Sequence, residues 1–462
     1  MAATTPQPTQ PETRYRSTLW APHNRIPTVG MVLVVTLIAF EFIGVATALP
    51  TLVADLHGGT LYAWPLAAFT AASAVGTVAG GQVCDRRGPG GPMIFGVLLF
   101  AAGLLVGGLA PTMMMLLAGR VVQGIGAGVE VVALYVVIAA VYPRRDRAAA
   151  SAVISAAWVM PALVGPPVAG LITQQFGWRW VFLGLVPLTM LGLPLLIPVM
   201  RTLRTSTAER PPIRKGLLAA GLGAAVGVSA FTAAAQRVDL VAVPVALAGV
   251  VLLVVSLRRL LPAGIGRIAR GLPAVVVSRA LLAGAFNSVE SFLPLTLTSV
   301  HGYSPAAAGL PLTVSAVGWW GAAAWQGRRP DLSRSMLLRV AFGLVALGLG
   351  LVALVSWQWV PGWLAYPGWA IGGAGMGFGV ASISVLLLQQ SPEHERGFNT
   401  SAMQLADMIG TVLLVGVGGV LVNAFGSTAH PSLPLFVFDV AMCAVALFGA
   451  VVSAGRTAGR LR

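Results

Sequence analysis

The sequence contains little charge. Only 9% of its 462 residues are Asp, Glu, Lys or Arg, whereas 57% are hydrophobic. Soluble proteins carry about 25% charged residues, so the composition excludes an ordinary soluble enzyme. The apolar runs do not alternate polar and apolar residues, as the strands of a membrane β-barrel would. The sequence therefore predicts an all-helical integral membrane protein.

Cysteine and catalytic motifs are also scarce. The two cysteines, Cys84 and Cys443, lie on different apolar segments, so no disulfide framework is expected. No P-loop, catalytic triad or metal-ligand spacing is present. We expect no enzymatic activity, no metal and no cofactor. The first 26 residues are polar and contain proline, which predicts a disordered tail rather than a cleavable signal sequence.

Fourteen apolar runs are long enough to be membrane-spanning helices. They are residues 28–49, 63–83, 92–110, 112–140, 149–174, 178–200, 216–236, 240–257, 273–300, 305–326, 335–356, 361–388, 398–425 and 431–454. The predicted organisation is a disordered cytoplasmic tail, a six-helix half, basic linkers with two extra helices, a second six-helix half and a short cytoplasmic tail. These five parts are residues 1–27, 28–200, 201–272, 273–454 and 455–462.

The basic residues support this topology. Of 29 basic residues, 25 fall on one side of the predicted membrane, while Arg179 and Arg237 fall on the other and Arg120 and Arg279 lie within apolar runs. Such segregation places both termini in the cytoplasm. It also explains the net charge of +15 without a nucleic-acid partner. Few lysines and many arginines, alanines and glycines suggest a bacterial source, so we expect the protein in the cytoplasmic membrane. We also expect it to be a monomer.

Short motifs recur between the two halves. Ser73-Ala74-Val75-Gly76 recurs 242 residues later, and Leu49-Pro50 with His57-Gly58 recurs 244 residues later. Ser151-Ala152 and Phe176-Gly177 recur at offsets of 250 and 249 residues. Four matches in the same order predict an internal repeat, with the two extra helices inserted between its halves. Repeats of this kind place the substrate near the bilayer midplane, at their interface.

Three motifs resemble those of the major facilitator superfamily, and within it the fourteen-helix drug:proton antiporters. Residues 81–88, Gly-Gln-Val-Cys-Asp-Arg-Arg-Gly, are similar to the signature loop between helices 2 and 3. Residues 116–128, which include Arg120, Gln123 and Gly124, are similar to the helix 4 motif implicated in proton coupling. Residues 165–170, Gly-Pro-Pro-Val-Ala-Gly, followed by Trp178-Arg179-Trp180, are similar to the helix 5 motif of exporters.

The chain also departs from the family pattern. Pro89-Gly90-Gly91 replaces the basic residues that usually follow the signature loop, which weakens the expected charge network at the inner gate. Pro161 stands where the helix 5 motif begins with glycine. In helix 1, Glu41 stands where the family commonly has aspartate. The resemblance implies an exporter coupled to protons, but not a particular substrate.

Arg120 is the residue on which this interpretation depends. It lies about eight residues, or ~12 Å, inside its apolar run. An arginine there costs at least ~2.5–3.5 kcal/mol, so it should face protein or water and have an acidic partner. Snorkelling to the interface is the alternative. Glu41 lies at the same estimated depth and is the first candidate for the proton carrier, with a permanent ion pair as its alternative role.

Three further acids are candidates for proton coupling. Glu290 lies at nearly the same estimated depth, which predicts a cavity shared with Glu41 and Arg120. Asp407 lies nearer the middle of its helix, and either it or Glu290 could instead contact a cationic substrate. Glu130 lies deeper toward the cytoplasm. Arg279, near the inner end of its helix, is expected to snorkel.

The remaining predicted site residues fall into two groups. Those expected to line the substrate cavity are Gln123, Asn287, Trp158 and Gln404. Those expected to act in conformational change are Gly81, Asp85, Arg86, Gly88, Gly165, Pro166 and Gly170. In the fold implied by the resemblance, Asp85 reaches the N-terminus of helix 11 in the outward-open state, where the helix dipole favours a carboxylate. A solvated loop is the alternative for Asp85, and a purely structural kink for Gly165-Pro166.

These expectations combine into a secondary exporter. Protons would move inward, as the coupling ion, while an amphipathic or lipophilic small molecule moves out by alternating access. Such multidrug efflux would confer antibiotic resistance. One alternative is a dedicated exporter of an endogenous metabolite, lipid or siderophore. A second is a membrane sensor or scaffold that retains the fold without transport.

Overall fold

The computed structural model describes residues 18–57, 61, 64–201, 203, 216–235, 242–303, 305–425 and 432–457. Within these ranges all regular secondary structure is helical. The α-helices are α1 (Pro22–Asp55), α2 (Trp64–Arg87), α3 (Gly90–Gly108), α4 (Met113–Val141), α5 (Arg147–Phe176), α6 (Arg179–Leu183), α7 (Leu185–Met200), α8 (Leu217–Ala235), α9 (Ala242–Leu260), α10 (Leu272–His301), α11 (Pro305–Gly327), α12 (Arg334–Val355), α13 (Ala365–Gln390), α14 (Arg396–Phe425) and α15 (Ser432–Arg456). Short 3₁₀ helices cover Thr18–Trp20, Ile265–Arg267, Gly362–Leu364 and Glu393–Glu395.

Twelve helical segments in the described ranges are long and apolar enough to cross a membrane. Each of the fourteen predicted runs forms helix, and the sixth is interrupted at Gly184, between α6 and α7. Two helices are not among the twelve. The apolar part of α8, Leu217–Phe231, is short. α11 has 23 residues, so its lower hydropathy rather than its length sets it apart. The predicted count of fourteen spans is therefore not confirmed.

The helices form two halves built on the same plan. In α1–α7 the helix α4 packs between α2 and α3, and in α10–α15 the helix α13 packs between α11 and α12. Gly76 of α2 and Gly318 of α11 are equivalent in the predicted repeat. A Cβ on Gly76 would lie 2.2 Å from the backbone oxygen of Ile125 on α4. A Cβ on Gly318 would lie 2.3 Å from the backbone oxygen of Ala370 on α13. Small residues therefore set the helix spacing at matching places in the two halves.

The two inserted helices form a hairpin against the seam between the halves. α8 and α9 pack closely at Gly227 and Gly249, where a Cβ on Gly227 would meet the Gly249 oxygen at 2.7 Å. α8 also contacts Ala74 and Val78 of α2 and residues of α14, through an apolar cluster separate from the main core. Phe231 of α8 lies against Gly416 of α14. The opposite face of α9 exposes large apolar side chains, including Val243, Leu247 and Val251.

The predicted boundaries of the tails need correction. α1 begins at Pro22, and Thr18 ahead of it donates its backbone N–H to Asp146 Oδ2 at 2.9 Å. The predicted disorder up to residue 27 is therefore wrong from residue 18 onward, while residues 1–17 lie outside the described ranges. At the other end α15 continues to Arg456, whose carbonyl accepts from Gly271 N at 2.6 Å. Most of the predicted linker 201–215 also lies outside the described ranges.

Candidate functional site: a buried ion pair

Arg120 of α4 and Glu41 of α1 form a salt bridge inside the N-terminal half. Both side chains are completely buried. The guanidinium also donates from Nη1 to Gln123 Oε1 at 2.7 Å and from Nε to the Pro65 carbonyl at 2.9 Å. Arg120 therefore has the acidic partner that its position in the membrane predicts, and the snorkelling alternative is wrong.

The environment of this pair is sealed but incompletely hydrogen-bonded. The Arg120 Cζ lies 4.5 Å from the centre of the Phe69 ring, which stabilises the cation on one face. Among the described residues, no partner is found for Arg120 Nη2, Glu41 Oε2 or Gln123 Nε2. Such unpaired buried polar atoms are unusual. The free Oε2 can accept a proton, and the free Nη2 can donate to a new partner.

Glycines on α4 position the pair. A Cβ on Gly124 would lie 2.3 Å from the Phe69 carbonyl of α2, and one on Gly119 would lie 2.6 Å from the Gly107 nitrogen of α3. α4 therefore approaches two neighbouring helices at backbone distance. Arg120 projects between these contacts toward α1, so the glycines of the motif fix where the charge lies.

The other candidate acids lie elsewhere. Glu290 is half-buried beside Trp369 in the C-terminal half, away from the Glu41–Arg120 pair. Glu130 is buried against α3: a Cβ on Gly96 of α3 would lie 3.1 Å from the Cβ of Glu130. Asp407 forms a salt bridge with Arg279 at 2.7 Å. Among the described residues, no interaction joins Glu290 to Glu41 or Arg120, so the cavity shared by these three residues stays a prediction.

The snorkelling predicted for Arg279 is wrong. The residue is only 7% exposed, because Asp407 on the neighbouring helix α14 offers a carboxylate within reach. Pairing with that acid satisfies the guanidinium without the side chain extending to the membrane surface.

The structure gives the four predicted cavity residues different surroundings. Gln123 is fully buried and supports Arg120, and its role as a cavity-lining residue stays a prediction. Asn287 donates from Nδ2 to Thr411 Oγ1 at 3.1 Å, and Gln404 is half-buried on α14. Trp158 of α5 is 42% exposed.

The predicted gating loop contacts the other half of the protein. Asp85, near the end of α2, accepts from Gly397 N at 2.6 Å and from Phe398 N at 2.9 Å. It thus lies at the N-terminus of α14. This is the helix predicted as helix 11, when the two inserted helices are left out and α6 and α7 are counted as one. The face of the molecule that holds this contact is called the Asp85 side below, and the opposite face is the Asp55 side.

Backbone contacts reinforce this junction. A Cβ on Gly81 would lie 2.1 Å from Ser401 Oγ, and Ser401 itself donates to the Thr77 carbonyl at 2.7 Å. Gly88 ends α2 with a φ of 77°, a conformation that favours glycine. The half-buried Arg86 lies in the last turn of α2. The halves are therefore closed against each other on the Asp85 side.

The helix 5 residues behave differently from one another. A Cβ on Gly165 would lie 3.2 Å from Ile43 Cγ2 of α1, so this glycine allows close packing. Pro166 lies within α5, which continues through it as helix. A Cβ on Gly170 would meet nothing within 4 Å, so this glycine makes no comparable close contact.

A polar cluster on the Asp55 side was missed by sequence reasoning. Asp55 Oδ2 accepts from the Trp178 indole at 2.9 Å and from Arg179 Nη1 at 2.8 Å, and Arg179 also donates to the Ala110 carbonyl at 3.2 Å. These contacts tie the end of α1 to the α5–α6 turn. The signal was the Trp-Arg pair, placed on the side of the membrane where α1 ends.

We expect Asp55→Asn to cause a small, pH-dependent loss of stability. The hydrogen bonds from Trp178 and Arg179 lower the pKa of Asp55 from its usual range. Its stabilising contribution is therefore present at neutral pH and is lost as the pH falls through the lowered pKa. For so exposed a pair the loss should be at most about 1 kcal/mol. Thermal unfolding in detergent should show the difference at pH 7, and the difference should shrink as the pH falls below the usual Asp pKa of about 3.9; a larger difference at acid pH would contradict it.

The chain matches a protein family over most of its length and individual relatives over about a third of it. The family model of the Major Facilitator Superfamily matches residues 31–413. A transporter from Aspergillus aculeatus, named "Acurin A biosynthesis cluster MFS-type transporter", is 34% identical over 157 residues, which are 34% of this chain and 28% of that protein. A "Probable multidrug-efflux transporter" from Mycobacterium tuberculosis is 33% identical over 159 residues, 34% of this chain and 33% of that protein. The match spans about a third or less of these relatives.

Solved structures share the fold at low identity. The human organic anion transporter MFSD10 superposes with a TM-score of 0.71 at 14% identity, covering 94% of this chain and 100% of that one. The proton:xylose symporter XylE superposes with a TM-score of 0.63 at 16% identity, covering 92% of this chain and 94% of that one.

Proposed function

The chain belongs to the Major Facilitator Superfamily, and we propose that it is a proton-coupled exporter of amphipathic or lipophilic small molecules, of the fourteen-helix antiporter type. Both termini would lie in the cytoplasm of a bacterial cell, so that the Asp85 side is the inner side. The observation that carries this proposal is the sealed salt bridge between Arg120 and Glu41, because a structural role alone does not require two opposite charges buried within the membrane.

In the proposed cycle Glu41 exchanges a proton with the outer side. A proton binds to the unpartnered Oε2, which neutralises the carboxylate and weakens its salt bridge with Arg120. The guanidinium keeps its hydrogen bonds to Gln123 and the Pro65 carbonyl. The altered charge balance then shifts the equilibrium between the two conformations. A membrane potential contributes ~2.3 kcal/mol per elementary charge per 100 mV to this exchange.

Asp85 supplies the inner gate in this proposal. Its hydrogen bonds to Gly397 N and Phe398 N hold α14 against α2 while the inner side is closed. Opening toward the cytoplasm requires both hydrogen bonds to break. The charge–dipole interaction at a helix N-terminus is worth about 0.3–1 kcal/mol, small enough for proton or substrate binding to overcome.

Purified protein in liposomes provides the test. With an acidic interior and the membrane potential clamped at zero, we expect ethidium, a lipophilic cation, to accumulate inside as protons leave. Protein-free liposomes and liposomes without a pH gradient are the controls. Gradient-independent ethidium exchange would indicate a facilitator. Absence of flux for ethidium and for uncharged amphipathic probes would contradict multidrug efflux.

One relative favours a second candidate function. The name of the Aspergillus protein places it in a biosynthesis cluster, which is compatible with a dedicated exporter of one natural product. A deletion strain distinguishes the two functions, because loss of a multidrug exporter should sensitise cells to several unrelated dyes and drugs. Loss of a dedicated exporter should leave those sensitivities unchanged.

A further inference from the structure

The C-terminal half contains its own buried ion pair. Arg279 Nη2 of α10 lies 2.7 Å from Asp407 Oδ2 of α14, and the two side chains are 9% and 22% exposed. Close helix packing brings them together. A Cβ on Gly410 would lie 2.3 Å from the Ala280 oxygen, one residue beyond Arg279. Each half of the protein thus holds one carboxylate–guanidinium pair within the membrane.

The second pair lies on a polar stripe of α14. We define the stripe as Thr400, Gln404, Asp407 and Thr411, which share one face because they are spaced by three or four residues. At its far end Thr411 accepts from Asn287 Nδ2 of α10 at 3.1 Å. The stripe begins one turn after Gly397, whose amide binds Asp85. It therefore runs from the inner gate toward the middle of the membrane.

The stripe and Arg279 have unused hydrogen-bonding capacity. Among the described residues, no partner is found for the following buried atoms: Arg279 Nε and Nη1, Asp407 Oδ1, Gln404 Oε1 and Thr400 Oγ1. Unpaired buried polar atoms of this number are unusual, and they have the donors and acceptors needed to bind water. Asp407 Oδ1 is in particular free to accept a proton.

One group from the other half lies near the pair. Tyr135 of α4 interacts electrostatically with both Arg279 and Asp407, and Ser384 of α13 lies beside Tyr135. On α10, Glu290 lies eleven residues beyond Arg279, or about 16 Å along the helix. Because α4 and α14 belong to different halves, a parting of the halves on the Asp85 side would remove Tyr135 from the pair and open the stripe toward that side.

We propose that the Arg279–Asp407 pair binds a second coupling proton, so that two protons, one in each half, are exchanged for each substrate molecule. This inference rests on the proposed function and specifies its stoichiometry. The proton binds to Asp407 Oδ1, and the carboxylate and guanidinium cease to be an ion pair while Arg279 keeps its charge. When the Asp85 side opens, water takes the proton from Asp407 and the ion pair forms again.

The coupling ratio is measured in the liposomes described above. With the potential clamped at zero, each coupled proton allows about tenfold ethidium accumulation per unit of pH gradient. We expect about 100-fold accumulation for the wild-type protein and about tenfold for Asp407→Asn at a gradient of one unit. The double variant Arg279→Gln/Asp407→Asn removes both charges and should also give about tenfold, which separates loss of the proton from an unpaired arginine. Asp55→Asn removes an acid outside the stripe and should match the wild type.

The second measurement needs no variant. Binding of ethidium to wild-type protein in weakly buffered detergent should release two protons per molecule, detected with a pH-sensitive dye. A ratio of one in the wild type, by either method, would overturn the inference while leaving proton-coupled export intact. Unchanged accumulation by Asp407→Asn would overturn it too. Absence of any gradient-driven flux in the wild type would instead refute the proposed function itself.

Discussion

We expect Arg120→Met to lower gradient-driven ethidium accumulation at least tenfold but to leave the protein folded, whereas we expect Glu41→Gln to destabilise it strongly. The difference follows from which charge remains. Without Arg120, the buried Glu41 can take up a proton and become neutral. Without Glu41, Arg120 remains charged, because a guanidinium is not deprotonated in proteins. Breaking a buried ion pair in this way costs about 3–5 kcal/mol.

The double variant Glu41→Gln/Arg120→Met completes this experiment. It buries no net charge, so we expect it to recover most of the stability lost in Glu41→Gln, yet to show no coupling through this pair. Thermal unfolding in detergent measures the first effect, and ethidium accumulation at a fixed pH gradient measures the second. Equal destabilisation by the two single variants, or uphill export by Arg120→Met at the wild-type rate, would contradict the role assigned to this pair.

We expect Gly397→Val to open the Asp85 side. A Cβ at this position would lie 2.2 Å from the Gly81 oxygen and 2.8 Å from Asp85 Oδ1. Both are contacts between the two halves, so the valine side chain fits only if α2 and α14 separate. Because the obstacle is backbone, rotation of a neighbouring side chain does not relieve it. We expect export to fall at least tenfold, since the inner side no longer closes.

Cysteine accessibility tests this prediction directly. Ser401, at the centre of the junction, is buried and bonded to the Thr77 carbonyl. In a background lacking Cys84 and Cys443, Ser401→Cys should react slowly with a water-soluble maleimide, and at least tenfold faster when Gly397→Val is added. Gly343→Val is the matched control, because a Cβ there meets nothing within 4 Å. Equal labelling rates with and without Gly397→Val would show that the junction accommodates the side chain.

The Glu41–Arg120 pair was predictable from the sequence because depth alone identifies it. Both residues lie in long apolar runs with well-marked ends, so counting residues places them at one level. The Arg279–Asp407 pair was not predictable in this way. It depends on which helices are neighbours and how they are rotated, and Gly284 and Gly410 determine this only once α10 and α14 are in contact.

Helix ends and helix faces were the other sources of error. Asp55 lies beyond the apolar run of α1, so its contacts with Trp178 and Arg179 could not be inferred from charges buried within the membrane. Gly170 belongs to a motif whose other glycine, Gly165, packs closely on α1, yet its own surroundings are open. The sequence shows which residue types are present, whereas their function depends on the face of the helix that they occupy.

The α8–α9 hairpin makes the two lateral faces of the protein unequal toward the lipid. On one face α8 bridges α2 and α14 through apolar side chains. It contacts Ala74 and Val78 of α2 and lies in the same cluster as Leu405 and Ile409 of α14. Apolar side chains of α8 thereby cover the contact between α2 and α14. Across the molecule α5 and α11 pack against each other, and the described parts of α8 and α9 do not pack against either helix. Trp158 of α5 and Trp320 of α11 are 42% and 49% exposed. The hairpin therefore shields one of the two lateral contacts between the halves and leaves the other to the lipid.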